Sequence, residues 1–211
     1  MTKTVTINNQ EFILHPTGAM FWTQQSMLLI SDVHLGKVMH FRKHGAAIPG
    51  NSVSKNFEQL DKAFGYFHPQ KIVFLGDLFH SKKNTEWFLF EEWVGKTDAN
   101  IILVAGNHDI IDPKHYKELN VKICSELVVG QFLLTHHPEE REEFFNFSGH
   151  IHPGILLRGL GRQSLKLPCF FQKPNQMILP AFGEFTGQYN LIPTEHDCVY
   201  AITKEEVVLI C

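Results

Sequence analysis

The sequence lacks a strong charge of either sign, because 19 lysines and arginines are set against 22 aspartates and glutamates, for a net charge of −3 with neutral histidines. This near-balance argues against a protein that coats nucleic acid by charge alone. It does not exclude an enzyme that holds a single phosphate group through metal ions.

Closely spaced cysteines and long apolar runs are lacking too. The four cysteines indicate neither a disulfide framework nor a zinc knuckle, because they are scattered at Cys124, Cys169, Cys198 and Cys211. The N-terminus contains no signal-peptide core, and the apolar runs are too short to span a bilayer. We therefore expect a soluble, cytoplasmic protein without a membrane partner.

The first half of the chain alternates between strand and helix patterns. Alternating apolar residues predict a β-hairpin over residues 4–15. Three apolar runs then predict strands at Met27–Ile30, Lys71–Leu75 and Ile101–Val104. Two segments with helical spacing separate them and predict helices from after Asn51 to about Phe67 and over residues 85–94. This order is typical of a parallel sheet, in which ligands bind beyond the carboxyl ends of the strands.

After about residue 120 the pattern changes to short strands with few helical segments. The predicted strands are Val121–Ile123, Leu127–Val129, Phe132–Leu134, Met177–Leu179, Cys198–Ile202 and Val207–Ile210. We expect them to form a second sheet packed against the first, in a single domain over residues 1–211. The expected fold class is therefore α/β, a two-sheet β-sandwich flanked by helices.

Five short blocks rich in Asp, Asn and His follow apolar runs, where strands are predicted to end. They are Asp32-Val33-His34, Gly76-Asp77, Gly106-Asn107-His108-Asp109, Thr135-His136-His137-Pro138 and Gly149-His150-Ile151-His152. A lone Asp at a strand end is usually a turn or cap residue, and a lone His pair could belong to a surface loop. The conjunction of five such blocks instead predicts a metal site built on the ends of several neighbouring strands.

The side-chain types in these blocks indicate the kind of ion. Asp, Asn and His together suit borderline divalent ions such as Mn, Fe, Zn or Co. Residues two apart on a strand point to the same side, so Asp32 with His34 can converge on one centre, and so can His150 with His152. The carboxylate of Asp77 can bridge two ions, because each of its oxygens can bind one.

Taken in order over residues 32–152, the blocks resemble the calcineurin-like metallophosphoesterase superfamily, whose motifs run D-x-H, G-D, G-N-H-D or G-N-H-E, H and G-H-x-H. The resemblance implies hydrolysis of a phosphoester P–O bond by a hydroxide that bridges two divalent ions, with Mn as the first expectation and Fe, Zn or Co as alternatives. It implies one ion held by Asp32, His34, Asp77 and His152. It implies a second ion held by Asp77, Asn107, His136 and His150.

The resemblance also implies roles for the other residues of the blocks. His136 is preferred to His137 as a ligand, because it lies one residue closer to the strand and matches an H-x-P pattern. His108 is implied to reach the substrate rather than a metal, and as an imidazolium it could protonate the leaving oxygen. Asp109 is implied to orient His108.

Segments that flank the blocks resemble one branch of the superfamily, the DNA-ligase-associated metallophosphoesterases, over nearly the whole chain. They are Asp32–Lys37, Phe41–Gly45, Gly149–Pro153, Arg158–Gly159, Leu167–Phe170 and Leu179–Gly187. This resemblance implies a phosphodiesterase or nuclease that acts on DNA in repair, with a DNA ligase and a helicase as partners. Basic residues in the flanking loops could contact a phosphate backbone, and the candidate substrate-binding residues are Arg42, Lys43, His80 and Arg158.

Two other functions stay open on the sequence. The same chemistry could act on small phosphoesters such as nucleotides. Alternatively, the chain could be a subunit that docks on ligase or helicase partners and has weak catalysis, although a pure scaffold need not retain the ligand set and His108. A basic cleft long enough for several nucleotides would favour the nuclease, and a closed pocket would favour the small substrate.

Overall fold

The computed structural model describes residues 1–37, 52–80, 82–161, 163–184 and 186–210. The predicted hairpin is confirmed, with strands β1 (Lys3–Ile7) and β2 (Gln10–Leu14). Asn8 and Asn9 join them, both with positive φ. That combination is the backbone of the tight turns that match the twist of paired strands, and Asn adopts it readily.

The first sheet has seven strands in the order β1-β2-β3-β4-β5-β6-β7. Its further strands are β3 (Met20–Trp22), β4 (Met27–Ile30), β5 (Lys71–Leu75), β6 (Asn100–Val104) and β7 (Lys122–Cys124). Pairing is antiparallel as far as β4 and parallel from β4 to β7. The helices described in this part of the chain are α1 (Ser52–Phe67), α2 (Thr85–Gly95) and α3 (Pro113–Glu118). The predicted strand–helix alternation is thus confirmed, whereas β3 and α3 were not predicted. The strand predicted at Val121–Ile123 was expected in the second sheet; it is instead β7 of the first sheet, because it pairs in parallel with β6.

The second sheet has nine strands and branches at a long central strand. They are β8 (Leu127–Val129), β9 (Phe132–Leu134), β10 (Phe145–Ser148), β11 (Pro153–Arg158), β12 (Ser164–Lys173), β13 (Gln176–Ile178), β14 (Tyr189–Asn190), β15 (Cys198–Ile202) and β16 (Val207–Leu209). The order is β14-β11-β12-β13-β10-β9-β8, and β15 pairs with both β12 and β16. Because β9, β10 and β13 pair in parallel, their carboxyl ends lie at one edge.

The two sheets pack face to face through large aromatic side chains. Phe12 and Trp22 of the first sheet contact Phe132 and Phe147 of the second, with ring centroids 4.8 Å apart for Phe12–Phe147 and 4.7 Å apart for Trp22–Phe132. All four side chains are almost completely buried. Burial of this kind stabilises the fold by roughly 1.5–3 kcal/mol for each such side chain.

The described helices cover the outer face of the first sheet. Leu60 of α1, Trp87 and Phe90 of α2, and Tyr116 of α3 belong to one buried cluster with the outward side chains of the sheet, such as Phe74. The predicted fold class, an α/β sandwich of two sheets flanked by helices, is confirmed. No helix in the described ranges is long and apolar enough to cross a bilayer.

Candidate metal centre

The five blocks meet at one edge of the sandwich, where parallel strands of both sheets end. Asp32 and His34 follow β4, Asp77 follows β5 and Asn107 follows β6 in the first sheet, while His136 follows β9 and His150 and His152 follow β10 in the second. Three overlapping groups of ligand atoms each lie within 4.8 Å of one another and could hold a metal ion. They are Asp32, His34 and His152; Asp32, Asp77 and His136; and His136, His137 and His150.

Most of these residues have a left-handed backbone rather than an extended one. The φ angles are 53° at Asp32, 50° at His34, 51° at Asp77, 67° at His150 and 53° at His152. For residues other than glycine this conformation costs on the order of 1–3 kcal/mol, and it concentrates at functional sites. The surrounding structure must therefore hold the site in place.

This backbone corrects one step of the sequence analysis. The alternation argument placed each Asp-x-His or His-x-His pair on a strand, but β4 ends at Ile30 and β10 ends at Ser148, so both pairs lie in loops. Asp32 and His34 still converge on one group. His150 and His152 do not, because His150 joins His136 while His152 joins Asp32 and His34.

Asp32 is a fully buried carboxylate with one oxygen free for a cation. Its Oδ2 accepts the backbone N–H of His150 at 2.9 Å. Its Oδ1 has no hydrogen-bond partner among the described residues and lies 3.3 Å from Nε2 of His152. A buried charge is costly unless it is paired or coordinates a metal, so the orphaned oxygen fits a bound cation.

Asp77 is the second buried carboxylate, and its two oxygens face different imidazoles. Oδ1 accepts the N–H of His108 at 2.9 Å and lies 3.5 Å from Nε2 of His136. Oδ2 lies 3.8 Å from Nε2 of His34. Each oxygen therefore faces one half of the centre, which is the arrangement that a bridging ligand needs.

The imidazoles are oriented by hydrogen bonds on the side away from the centre. Nδ1 of His136 lies 3.0 Å from the carbonyl oxygen of Leu75, and Nδ1 of His152 lies 3.2 Å from that of Thr186. Each Nδ1–H donates to its carbonyl, so the Nε2 lone pair points into the site. Such partners fix the tautomer of metal-binding histidines.

Three further contacts complete the donor set. Nε2 of His136 lies 3.0 Å from Oδ1 of Asn107 and 3.2 Å from Nδ1 of His150. Nε2 of His34 lies 3.3 Å from Nε2 of His152. Lone pairs that converge in this way repel one another unless a proton or a metal ion lies between them. Nitrogen and oxygen donors in this mixture suit Mn, Fe, Zn or Co.

Burial favours the neutral form of the His34 and His150 imidazoles. Burial, followed by the charge of Lys37, lowers the pKa of His34 to about 2. Burial also lowers the pKa of His150, and the neighbouring His137 and His136 act in the same direction. Neutral imidazole is the form that binds a metal ion.

Two glycines allow the loops to approach the carboxylates. A Cβ at Gly106 would overlap Oδ1 and the backbone nitrogen of Asp77, and a Cβ at Gly149 would overlap Oδ2 of Asp32. Any larger residue at either position requires the carboxylate or its loop to move. The glycines that precede Asn107 and His150 therefore serve the close packing of the centre.

His108 lies beside the centre rather than inside any of the three ligand groups. Its half-exposed ring stacks on that of His80, with centroids 4.9 Å apart and planes inclined by 28°. Its centroid lies 5.7 Å from that of His34. The ring is thus next to the ligands and open to a substrate.

Asp109 connects the loop of His108 to the loop of His80. Its Oδ1 accepts the N–H of Phe79 at 3.1 Å, and its Oδ2 accepts the N–H of Gly106 at 2.9 Å. Burial raises the pKa of this carboxyl to about 6, although both N–H groups oppose the shift. The structure shows Asp109 acting on the backbone of the two loops, whereas its predicted orientation of the His108 ring stays a prediction.

The family model for calcineurin-like phosphoesterases matches residues 26–166. The chain belongs to this family. It is therefore a metal-dependent hydrolase of phosphoesters, and the resemblance identified from the five blocks is confirmed.

Two solved structures are similar to this phosphoesterase. The nuclease MPE from Pseudomonas putida is 25% identical, with a TM-score of 0.82 and a match that covers 100% of both chains. A protein of unknown function from Aquifex aeolicus is 19% identical, with a TM-score of 0.44, over 60% of this chain and 78% of that one. None of the curated proteins compared with the chain matches it.

The predicted substrate-binding residues of the phosphoesterase differ in their position relative to the metal centre. His80 lies beside the centre, next to His34 and His108. Arg158 is exposed at the end of β11, and no described contact joins it to the centre. Arg42 and Lys43 lie outside the described residues.

Lys37 is a half-buried cation whose charge interacts with the two carboxylates. Burial lowers the pKa of Lys37, while the charges of Asp77 and Asp32 raise it. Lys37 was predicted only as the last residue of the flanking segment Asp32–Lys37. The structure places its ammonium group within the electrostatic reach of the metal centre.

The loop after β13, described at residues 180–184 and 186–188 and called the 180–188 loop, holds the centre in place from the second sheet, a role that was not predicted. Ser31 Oγ–H donates to the carbonyl of Pro180 at 2.9 Å, and the N–H of Phe182 donates to the carbonyl of Ser31 at 2.9 Å. The N–H of Gly183 donates to the carbonyl of Asp32 at 3.1 Å. The signal was the segment Leu179–Gly187, which carries part of the branch resemblance.

Proposed function

We propose that this phosphoesterase is a dinuclear phosphodiesterase that cleaves DNA. The observation that carries the proposal is Asp77, whose two oxygens face the imidazoles of two neighbouring ligand groups. The similarity to the nuclease MPE over the full length of both chains supports a polynucleotide substrate.

The donor geometry supports one division of the ligands. Asp32, His34, Asp77 and His152 would hold one ion, because Oδ1 of Asp32 and Nε2 of His34 both lie 3.3 Å from Nε2 of His152. Asp77, Asn107, His136 and His150 would hold the other, since Nε2 of His136 is 3.0 Å from Asn107 Oδ1 and 3.2 Å from His150 Nδ1. Bound divalent ions, with Mn as the first expectation, supply an activated water and neutralise the charge of the phosphoryl oxygens.

The residues of the chain would then bind and protonate the substrate. His108 is open to solvent beside the ligands, so its imidazolium would donate a proton to the leaving oxygen. Asp109 would hold the His108 loop through the N–H of Gly106. Lys37, whose charge interacts with Asp32 and Asp77, would attract the phosphate.

The experiment compares Mn²⁺-dependent hydrolysis of three substrates: an aryl phosphodiester, an aryl phosphomonoester and end-labelled single-stranded DNA. We expect cleavage of the diester and the DNA, and both activities should disappear on chelation and return with Mn²⁺. If the protein hydrolysed the small esters but left the DNA intact, the proposed nuclease function would be wrong, and the protein would instead be an enzyme that acts on small phosphoesters or nucleotides.

The role in DNA repair, docking on a DNA ligase or helicase, and the cytoplasmic location belong to the same proposal. The repair role and the docking rest on the resemblance of the flanking segments to the DNA-ligase-associated branch, and the location rests on the scattered cysteines. The near-complete set of converging donors favours an enzyme over a subunit that only docks. Co-purification of the chain with a ligase or helicase, compared between the unchanged protein and a metal-free variant, would test the docking role separately.

A further inference from the structure

A groove lies at the same edge of the sandwich as the metal centre, one strand further along. In the first sheet, residues 16–18 precede β3, which is antiparallel to β4, so they lie at the edge where Asp32 follows β4. In the second sheet, the 180–188 loop follows β13, the parallel neighbour of β10. The groove between them has a volume of about 480 Å³, within the range of sites that hold small ligands.

The 180–188 loop is the wall between this groove and the centre. Gly183 and Thr186 line the groove, while the N–H of Gly183 binds the carbonyl of Asp32 and the carbonyl of Thr186 binds Nδ1 of His152. Pro153, the residue after His152, lines the groove as well. A polymeric substrate that lies across the metal centre would therefore enter the groove next to His152, a proposed metal ligand.

Lysines dominate the charge of the groove. Lys166 lines it, and its Nζ donates to the carbonyl of Gln188 at 2.7 Å, which leaves two of its three donors for a ligand. A second hollow of about 350 Å³ continues the groove through shared lining residues and adds Lys55, Lys62 and Lys204. The acidic residues in the described lining are Glu58 and Glu184. The lining is therefore cationic in a chain whose net charge is negative.

We propose that this lysine groove, defined by Lys55, Lys62, Lys166 and Lys204, binds the nucleotides on one side of the scissile phosphodiester in a single-stranded nucleic acid. The inference rests on the proposed nuclease function. Ammonium groups along a groove suit a row of phosphates and position a strand without reading its sequence. A volume of a few hundred Å³ has room for a short segment of a single strand. The groove lies on the side of the centre occupied by Asp32 and His152. It would therefore bind the nucleotides on that side of the scissile phosphodiester, away from Asn107.

The test compares two triple variants with the unchanged protein. The groove variant carries Lys55→Gln, Lys62→Gln and Lys204→Gln. The control variant carries Lys71→Gln, Lys96→Gln and Lys122→Gln, three lysines at the amino ends of β5 and β7 and after α2, away from the centre. For each protein, kcat/KM in Mn²⁺ is measured on a dinucleotide and on a single-stranded oligonucleotide longer than the groove, at several salt concentrations.

We expect the ratio of the two kcat/KM values, oligonucleotide over dinucleotide, to fall about 10-fold or more in the groove variant, and to be unchanged in the control. The salt slope of the oligonucleotide reaction should fall by about 2, since each phosphate contact on a single strand contributes about 0.7. If the groove variant kept the wild-type ratio and salt slope, the proposed nucleotide binding by the groove would be wrong, and the proposed nuclease function would still stand. Failure of the unchanged protein to cleave the oligonucleotide would overturn the proposed function, and the groove with it.

Discussion

Gly106 offers a substitution that separates the metal centre from the rest of the fold. A Cβ at this position overlaps Oδ1 and the backbone nitrogen of Asp77, so Gly106→Ala requires the Asp77 carboxylate or its loop to move. Overpacking by one methyl group costs about 1–3 kcal/mol, which corresponds to a fall in Tm of roughly 2–10 °C for a chain of this size. Loss of a group that only orients a metal ligand weakens metal binding by about 10–100-fold, so displacing Asp77, a proposed ligand, should weaken it at least as much.

Gly65→Ala is the matched control, because Gly65 lies in α1 and an added Cβ there meets no heavy atom within 4 Å. Alanine is favoured over glycine inside a helix by about 1 kcal/mol, so this variant should melt roughly 2–4 °C higher with unchanged metal affinity. Calorimetric Mn²⁺ titration, thermal melting and aryl diester hydrolysis are measured on both. Wild-type affinity and turnover in Gly106→Ala would refute the placement of Asp77 at the centre.

His108→Ala should retain both metal ions and slow DNA cleavage by about 10²–10⁴-fold, the range of a lost general acid; a lower metal content in this variant would show that His108 is a ligand. His15 should make stability depend on pH, because burial, aided by the charge of Lys62, lowers its pKa to about 4, and its Nδ1 accepts the N–H of Thr17. The unfolded chain, with a pKa near 6.5, binds more protons than the folded protein between these values, so the free energy of unfolding rises with pH across that window, by at most about 3 kcal/mol. Urea unfolding of wild type and His15→Gln within and above the window measures this difference, and equal pH dependence in both proteins would contradict it.

The first sheet and the location of the site could be predicted from the sequence because both depend on local patterns. Apolar runs such as Ile72–Leu75 predict the buried strands β5 and β6, and a segment with helical spacing of apolar residues lies between these strands. Since the carboxyl ends of parallel strands share one edge, Asp32, Asp77 and Asn107 had to meet there. The structure places them as this reasoning requires.

The second sheet was less predictable because its strands depend on tertiary pairing. β12 contains Pro168, which argues against a central strand, yet it pairs with β11, β13 and β15 along its length. β10 buries Asn146 and Ser148 as well as two phenylalanines, so it shows no apolar alternation. The amide of Asn146 is satisfied by the carbonyl of Leu133 and the hydroxyl of Thr135, partners that no local pattern reveals.

Within the site, the residues named from the sequence lie close together, but the backbone predicted for them was wrong. Asp32 and His34 converge because both have positive φ in a loop, and the same feature sends His150 and His152 to different groups. The contacts of the 180–188 loop with Ser31 and Asp32 join residues about 150 positions apart. Neither feature follows from the sequence, because each depends on how the two sheets pack.

The dinuclear account is tested most directly by counting metal ions and measuring DNA cleavage on the same samples of wild type and Asp77→Asn. The substitution keeps the size of the side chain and an oxygen that can accept the N–H of His108, so the fold should persist while the bridging charge is lost. The account predicts two Mn²⁺ ions per wild-type chain, fewer in the variant, and no detectable cleavage by the variant. Full metal occupancy with near-normal turnover in Asp77→Asn would contradict it.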